Sequence, residues 1–290
     1  MKTWRTRPFG HPVLRLAEST STIDYSRQWL RDGAPHGAVV IAERQTAGRG
    51  RLGRAWASPL GGLWLTVILR PQWDVAVAGL LGLAVGLAAA EAVEKETGAR
   101  IQLRWPNDLM VGGTSTAPVS RPVGTPPPCP LPARGEGGAR KVGGVLVETE
   151  LAGRTVAVAL VSLGLNVNFR RAELPAEVQA TATTLLEATG REHSLPVLAA
   201  RFLETLEGAL GAVTDDPQAL QTLWRGRDAL LGKQVSVVTA GKTLAGRAAG
   251  IDQEGRLLLA TGVLGRIAVA TGEVVSVREQ GREDPQVLAE

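Results

Sequence analysis

Three arginines alternate with three glycines in one short stretch of the chain, QTAGRGRLGRAW at residues 45–56. A glycine-rich backbone lets successive N–H groups turn toward a single anion, and the guanidinium groups of Arg49, Arg51 and Arg54 add positive charge and paired donors. The stretch therefore fits a phosphate-binding loop, although a solvated basic turn is equally compatible with it alone. A nucleic-acid tail is disfavoured, because such tails stand in low-complexity sequence and this stretch lies between strand-like segments.

The motif RWPNDLMV at 104–111 supplies an adjacent amide and carboxylate. Pro106 ends the preceding strand, so Asn107 and Asp108 project at a strand end, where a rigid scaffold commonly presents functional side chains. Such a pair can bind a ribose or a metal-bound phosphate, or accept a proton. An Asx turn without a chemical role is the alternative for this motif taken alone.

Two further motifs begin or end strands. In KVGGVLVE at 141–148, Lys141 can place its ammonium against an anion that Gly143 admits close to the backbone; the alternative is a surface lysine that opens a strand. In GLNVN at 164–168, the amide of Asn166 is either a ligand contact or part of a turn. Each of these motifs is weak alone, and their order along the chain is more specific.

The elements that must position these motifs can be predicted from apolar patterns. Apolar runs with β-branched residues predict strands at 38–43, 63–69, 101–105, 142–151 and 154–168, with the last two forming an antiparallel pair that turns at 152–153. Helical patterns occupy 24–32, 75–90 and 195–212. The uncharged run at 75–90 is shorter than the ~20 apolar residues of a bilayer span, so we expect a helix buried against the sheet. After Trp224, five short strands with glycine-containing turns predict a small barrel or half-barrel.

Composition limits the class of protein. The chain has 290 residues, of which 44% are hydrophobic and 21% charged, as in ordinary soluble globular proteins. Its net charge of +4 is too small to argue for a nucleic-acid binder by itself. A single cysteine, Cys129, excludes an internal disulfide and suits a reducing cytoplasm. The basic N-terminus lacks the apolar run of a secretory signal. Residues 112–140 are rich in Pro, Gly, Ser and Thr, which predicts a mobile surface loop in which Cys129 is incidental.

In their order along the chain, QTAGRGRLGRAW, RWPND, KVGGVLVE and SLGLNVN resemble the signature motifs of the biotin protein ligases, over about residues 15–280. That family joins biotin to ATP as biotinyl-5′-AMP and passes the biotin to a lysine of a carrier protein. The resemblance implies an α+β fold: a mixed β-sheet with flanking helices, like that of class II synthetases, and a small SH3-like β-barrel at the C-terminus. The implied domains are 1–228, with the insert at 112–140 as an elongated loop, and 229–290.

The resemblance also implies roles for individual residues. Lys141 is expected to contact the biotin carboxylate and the α-phosphate, Asp108 to help deprotonate the acceptor lysine, and Arg51 to close over the adenylate as part of a lid. The full set implied for biotin or adenylate binding is Ser21, Thr22, Gln45, Gly48, Arg49, Gly50, Arg51, Trp56, Asn107, Lys141, Gly143, Asn166 and Arg278. Trp105 is a further candidate for packing near the ligand. No metal ligand is expected from the protein itself, since Mg²⁺ arrives on ATP.

One motif departs from the family pattern. The family usually opens its first helix with Ser-Thr-Asn, which contacts the ureido end of biotin, whereas this chain reads ESTSTIDYSRQW at 18–29. The spacing to GAPHG favours Ser21 and Thr22, with Ile23 where asparagine is usual. The alternative register is 19–21.

Partners follow from the same resemblance. The expected partners are ATP, biotin and the biotin carboxyl carrier protein of acetyl-CoA carboxylase, in the cytoplasm, with no nucleic acid and no membrane. Either a monomer or a homodimer is compatible. About 15 residues precede the ligase region, too few for a DNA-binding domain, so we expect no repressor activity. A lipoate or octanoate ligase or transferase on the same scaffold is the closest alternative. A nucleic-acid or partner-binding module is the alternative from another class, although the chain lacks interleaved surface aromatics for base stacking.

Overall fold

The computed structural model describes residues 9–112, 138–262 and 265–278. Most of the Pro/Gly-rich insert, including Cys129, falls at 113–137, outside the described residues. The strands are β1 Val13–Ser19, β2 Val39–Gln45, β3 Leu63–Leu69, β4 Trp73–Asp74, β5 Ile101–Arg104, β6 Asp108–Val111, β7 Arg140–Ala152, β8 Thr155–Leu165, β9 Gln234–Thr239, β10 Lys242–Ile251, β11 Leu257–Thr261, β12 Gly265–Val269 and β13 Glu273–Arg278. The helices are α1 Thr22–Arg31, α2 Ala78–Thr97, α3 Ala176–Gln179, α4 Leu185–Thr189, α5 Leu195–Asp215 and α6 Pro217–Arg225.

The larger sheet contains eight strands, in the order β1-β2-β3-β8-β7-β6-β5 with β4 paired to β8. β1 and β2 are parallel, and the remaining pairs are antiparallel. The predicted pairing of the two long strands is confirmed as β7 and β8, which are joined by the turn at 153–154. This order brings β3, β7 and β8 together in the middle of the sheet, although β3 is remote from the other two in sequence.

The central strand β3 is buried along its whole length, because both faces of the sheet are covered. Leu65 and Val67 belong to the core that contains α2, whereas Ile68 packs in a second cluster with Ile23 of α1. Side chains alternate between the faces of a strand, so Thr66 lies on the α1 side. A threonine at this fully buried position must find its hydrogen bonds within the protein.

The Ala/Gly-rich helix α2 is a core element. It packs against β5, β7 and α5, and its small side chains allow the close approach of α5, where Thr205 Oγ1 donates to the carbonyl of Ala88 at 2.8 Å. Among the described residues, the stretch Val75–Thr97 is the one helical segment long and apolar enough to match a membrane span, and 61% of its most apolar part is buried inside the protein. The helix predicted at 75–90 is therefore confirmed as a buried helix, which starts at Ala78 and continues to Thr97.

The five short strands predicted after Trp224 are confirmed as a second, antiparallel sheet in the order β12-β11-β10-β9-β13. Of the barrel and half-barrel that the sequence allowed, the structure shows no closed barrel among the residues it describes. β12 and β13 form the two edges of an open sheet, and they do not pair with each other within the described part of the chain. Closure depends on strand tilt and stagger, which apolar patterns do not encode.

The second sheet is attached to the edge strand β5. The N–H of Leu103 donates to the carbonyl of Arg227 at 2.7 Å, and the N–H of Ala229 donates back to the carbonyl of Leu103 at 2.9 Å. The indole N–H of Trp105 donates to the carbonyl of Gly255, in the turn between β10 and β11, at 3.1 Å. These bonds fix the second sheet beside the β5–β6 hairpin, so that its turn at 270–273 reaches the arginine-glycine stretch.

Candidate active site

A cavity of about 700 Å³ lies where the first turn of α1, the loop after β2, the β5–β6 hairpin and the start of β7 meet. This volume falls in the range of small-molecule sites. Most of the predicted site residues line it: Ser21, Thr22, Gln45, Gly48, Arg49, Gly50, Arg51, Trp56, Asn107, Asp108, Lys141 and Asn166. The structure thus gathers motifs that are spread over more than half of the chain into one site.

Three predicted residues stand differently. Gly143 lies beside the cavity without lining it: a Cβ there would stand 2.7 Å from the carbonyl oxygen of Gly164, so its role in the structure is to let β7 and β8 approach. Arg278 is exposed at the end of β13 and does not line the cavity. Trp105 does line it, but its indole N–H is used to hold the second sheet.

The first part of the cavity carries neutral polar groups. Ser21 caps α1 and its Oγ accepts from the N–H of Ile23 at 3.3 Å, whereas Thr22 donates from both its N–H and its hydroxyl to Gln45 Oε1, at 2.8 and 3.2 Å. Of the two possible registers, only the one at 21–22 faces the cavity; Ser19 and Thr20 do not line it. Ile23 also lines it and is 3% exposed, so an apolar side chain stands where the family pattern has an amide.

Two buried hydroxyls extend this neutral part and were missed by sequence reasoning. Thr66 Oγ1 lies 2.9 Å from Thr22 Oγ1 and 2.9 Å from Ser162 Oγ. Ser162 lines the cavity on β8 and is 7% exposed. The available signal was a single hydroxyl residue inside each of two otherwise apolar strands, LWLTVIL and VALVSLGL.

The arginine-glycine stretch forms a tight loop over the cavity. A 3₁₀ turn occupies Arg51–Gly53, with Leu52 and Gly53 in the left-handed region at φ 56° and 74°. A Cβ at Gly48 would stand 2.5 Å from the carbonyl oxygen of Trp56, so this position requires glycine. The loop thereby returns on itself, and its arginines are displayed around the opening.

Each arginine of the loop has a carboxylate or carbonyl partner outside the loop. Arg49 forms an ion pair with Asp24 of α1 at 2.6 Å, and Arg54 forms one with Glu273 of the second sheet. Arg51 Nη1 donates to the carbonyl of Gly272 at 3.3 Å. Burial lowers the pKa of Arg51, and the negative charges of Asp108 and Glu273 oppose that shift. Sequence reasoning missed Asp24 and Glu273, because local spacing does not indicate that either carboxylate meets an arginine of the loop.

A second cluster joins one carboxylate to two cations. Asp108 Oδ2 accepts from Arg104 Nε at 3.0 Å and Nη2 at 2.5 Å, and Asp108 Oδ1 lies 2.5 Å from Lys141 Nζ. The Asp108 side chain is only 12% exposed, and its charge is compensated by these two cations. Lys141 Nζ also stands 4.9 Å from the centre of the Trp56 ring, whose indole rests on Gly164. The pairing of Arg104 with Asp108 across the β5–β6 hairpin places the whole cluster at the cavity wall.

The two asparagines differ in what they leave for a ligand. Asn107 donates from Nδ2 to the carbonyl of Val145 at 2.9 Å and accepts from the N–H of Val145 through its backbone, so it holds the hairpin against β7. Asn166 donates from Nδ2 to the carbonyl of Thr183 at 3.0 Å, while its buried Oδ1 has no partner among the residues that the structure describes. A buried acceptor without a donor is expected to receive one from a ligand or water.

The arrangement can bind a neutral hydrogen-bonding group and anionic groups in one enclosed site. The hydroxyls and amide around Thr22 suit the first, whereas Arg49, Arg51, Arg104 and Lys141 suit carboxylate and phosphate oxygens. Bringing two anions together is the chemical problem for which such a set of cations is needed.

Comparison with known proteins agrees with this geometry. Residues 13–168 match the biotin/lipoate A/B protein ligase family, and residues 230–276 match the biotin protein ligase C-terminal domain. The chain therefore belongs to the biotin/lipoate A/B protein ligase family, as the sequence motifs predicted.

Similar proteins include a biotin--[acetyl-CoA-carboxylase] ligase of Mycobacterium tuberculosis, 33% identical over 83% of this chain and 80% of that protein. The bifunctional ligase/repressor BirA of Bacillus subtilis is 27% identical over 89% of this chain and 72% of that protein. A biotin protein ligase from Aquifex aeolicus, solved in complex with biotin and ATP, superposes with a TM-score of 0.71 at 28% identity, over 92% of this chain and 98% of that one.

Proposed function

We propose that this protein is an ATP-dependent biotin ligase that forms biotinyl-5′-AMP and transfers the biotin to a lysine of a biotin carboxyl carrier protein. The observation that carries the proposal is the pairing, in one cavity, of a neutral hydroxyl-and-amide end with a cationic end around Lys141. Biotin has the matching polarity, with a neutral ureido ring at one end and a carboxylate at the other. The similarity to named biotin ligases supports the same reaction.

In the first step, a biotin carboxylate oxygen attacks the α-phosphorus of ATP, and the bond from that phosphorus to the pyrophosphate oxygen breaks. ATP enters with Mg²⁺, which offsets part of the triphosphate charge. Lys141 stands beside Asp108 and Trp56, where its ammonium is positioned to neutralise both the carboxylate and the α-phosphate. When phosphate oxygens are bound, Arg49 leaves its ion pair with Asp24 and Arg51 leaves its hydrogen bond to the Gly272 carbonyl, and both bind the phosphate instead.

In the second step, the amine of the acceptor lysine attacks the biotinyl carbonyl carbon, and AMP leaves with the electron pair of the broken C–O bond. Asp108 lies at the cavity wall and accepts, directly or through water, the proton released from that amine. We assign the free Oδ1 of Asn166 to the exocyclic amino group of adenine, which is a suitable donor.

The loop at 45–56 then acts as a cover for the mixed anhydride, which hydrolyses in water. Its left-handed turn and its exchangeable ion pairs allow it to close when the anions are bound. We further propose a catalytic domain over 1–228 and a C-terminal β domain over 229–290, a carboxylase carrier protein as the partner, and a cytoplasmic location without nucleic-acid or membrane binding. A monomer and a homodimer are both consistent with this reaction.

The direct test is ATP–pyrophosphate exchange, measured with biotin and, separately, with lipoate. Exchange that requires biotin supports the proposal, and exchange that requires lipoate assigns the site to the related acyl-transfer reaction. No exchange with either, together with tight and salt-sensitive oligonucleotide binding, identifies a nucleic-acid module instead.

A further inference from the structure

The buried hydroxyls of Thr22, Thr66 and Ser162 form a chain whose proton positions are fixed by Gln45. Gln45 Oε1 accepts from the N–H of Thr22 at 2.8 Å, which sets the orientation of the amide, and it also accepts from the Thr22 hydroxyl at 3.2 Å. The amide nitrogen Nε2 donates in the other direction, to Ser58 Oγ at 2.7 Å. The single hydroxyl proton of Thr22 therefore points to Gln45.

The remaining protons follow in sequence. Because the hydroxyl of Thr22 donates its one proton to Gln45, Thr66 must be the donor in the 2.9 Å hydrogen bond between Thr66 and Thr22. Because the hydroxyl of Thr66 then donates its one proton to Thr22, Ser162 must be the donor in the 2.9 Å hydrogen bond between Ser162 and Thr66. All protons in the chain thus point from Ser162 toward Gln45.

This order decides what the cavity presents to a ligand. Thr66 is fully buried and does not line the cavity, whereas Thr22 and Ser162 do. The oxygens of Thr22 and Ser162 therefore face the cavity with lone pairs only and act as acceptors. Such shielded acceptors favour a ligand with N–H donors and disfavour one that brings lone pairs or a methyl group.

We propose that Ser162 is a specificity-determining residue that accepts a hydrogen bond from a ureido N–H of biotin, and that Thr66 is the positioning residue that keeps the Ser162 proton away from the ligand. This inference rests on the proposed function and deepens it. The reacting carboxylate is at the other end of biotin, so changes at Ser162 are expected in KM for biotin rather than in kcat or in KM for ATP.

The first experiment compares wild type with Ser162→Ala in ATP–pyrophosphate exchange, using biotin and the two biotin isomers methylated at one ureido nitrogen. In the variant we expect KM for biotin to rise about tenfold, which corresponds to the free energy of one unpaired buried donor. KM for one of the two methylated isomers should not rise, because that isomer lacks the donor and the alanine leaves room for its methyl group. Desthiobiotin keeps the ureido ring and should behave like biotin.

The second experiment addresses Thr66. Thr66→Val keeps the shape and removes the hydroxyl, which frees the Ser162 proton to rotate toward the ligand, so KM for biotin should rise while Thr66→Ser restores it. Thr205→Val removes a comparably buried hydroxyl outside the cavity and should leave KM for biotin unchanged. Thermal unfolding of each variant checks that the protein is folded.

The outcomes separate the two levels of the proposal. Wild-type protein without biotin-dependent exchange refutes the proposed function. The assignment of Ser162 alone is overturned if Ser162→Ala shows biotin-dependent exchange with the wild-type KM for biotin and the wild-type preference for biotin over both methylated isomers. If Ser162→Ala does not fold, the wild-type protein provides the test. The assignment of Ser162 is then overturned if wild type uses both methylated isomers as readily as biotin.

Discussion

Replacing Lys141 by methionine removes one cation from the reacting end of the cavity at nearly constant side-chain length. In the free protein the change breaks the 2.5 Å contact to Asp108, which keeps both of its bonds from Arg104. The loss in unfolding free energy should be about 1 kcal/mol, because the carboxylate remains paired. In a domain of this size the melting temperature should then fall by about 2–4 °C.

The effect on adenylate formation should be much larger. Removing one directed donor from a developing negative charge typically reduces kcat by about 10²–10³. Because the Lys141 side chain is 26% exposed, solvent screens part of its charge, and we expect the lower end, about 100-fold. The assay is ATP–pyrophosphate exchange at saturating biotin. Lys95→Met is the matched control, since it breaks the Lys95–Glu91 ion pair on the outside of α2. Exchange at the wild-type rate in folded Lys141→Met protein would refute the electrostatic role.

Three other perturbations test separate features. In Gly48→Ala, the added methyl would stand 2.5 Å from the Trp56 carbonyl oxygen, so the loop must shift and the rate of adenylate formation should fall by about tenfold or more. The control is alanine at a glycine of α2 where an added Cβ meets no atom, which should leave that rate unchanged. Burial raises the pKa of Asp228 from 3.8 to about 6, so the folded state binds this proton more tightly than the unfolded state does. The unfolding free energy should therefore fall by at most about 3 kcal/mol as the pH rises from about 4 through 6. Asp228→Asn should remove that loss, and urea unfolding of both proteins at pH 4 and pH 7 measures it; a difference between them that does not vary with pH would contradict this cause. Glu273→Ala removes the ion-pair partner of the exposed Arg54 and should change the unfolding free energy by less than about 1 kcal/mol. Amide hydrogen exchange at 49–54 in the ligand-free protein should become faster. An unchanged exchange rate would show that this ion pair does not hold the loop.

Much of the fold could be predicted from apolar patterns. The strand at 63–69 was predicted residue for residue, and the helices α1, α2 and α5 were placed correctly in their central turns. β1 was missed because it is an edge strand whose exposed residues break the apolar run, and β6 because DLMV follows a proline turn that suggested a loop. Whether the second sheet closes into a barrel could not be predicted, since pairing between distant edges is not a local property.

The sequence by itself determined which residue types carry the chemistry. The arginine-glycine stretch, Asn107 with Asp108, and Lys141 could be recognised because their residues are neighbours in the chain and their chemistry depends on local spacing. Only the tertiary structure decided which groups become partners: Asp24 pairs with Arg49, Glu273 pairs with Arg54, and Ser162 bonds to Thr66, which was not recognised from the sequence. Each of these pairs joins elements that are far apart in sequence. Their contact arises from the strand order and from packing on both faces of the sheet, where the sum of many weak apolar contacts fixes which polar groups meet.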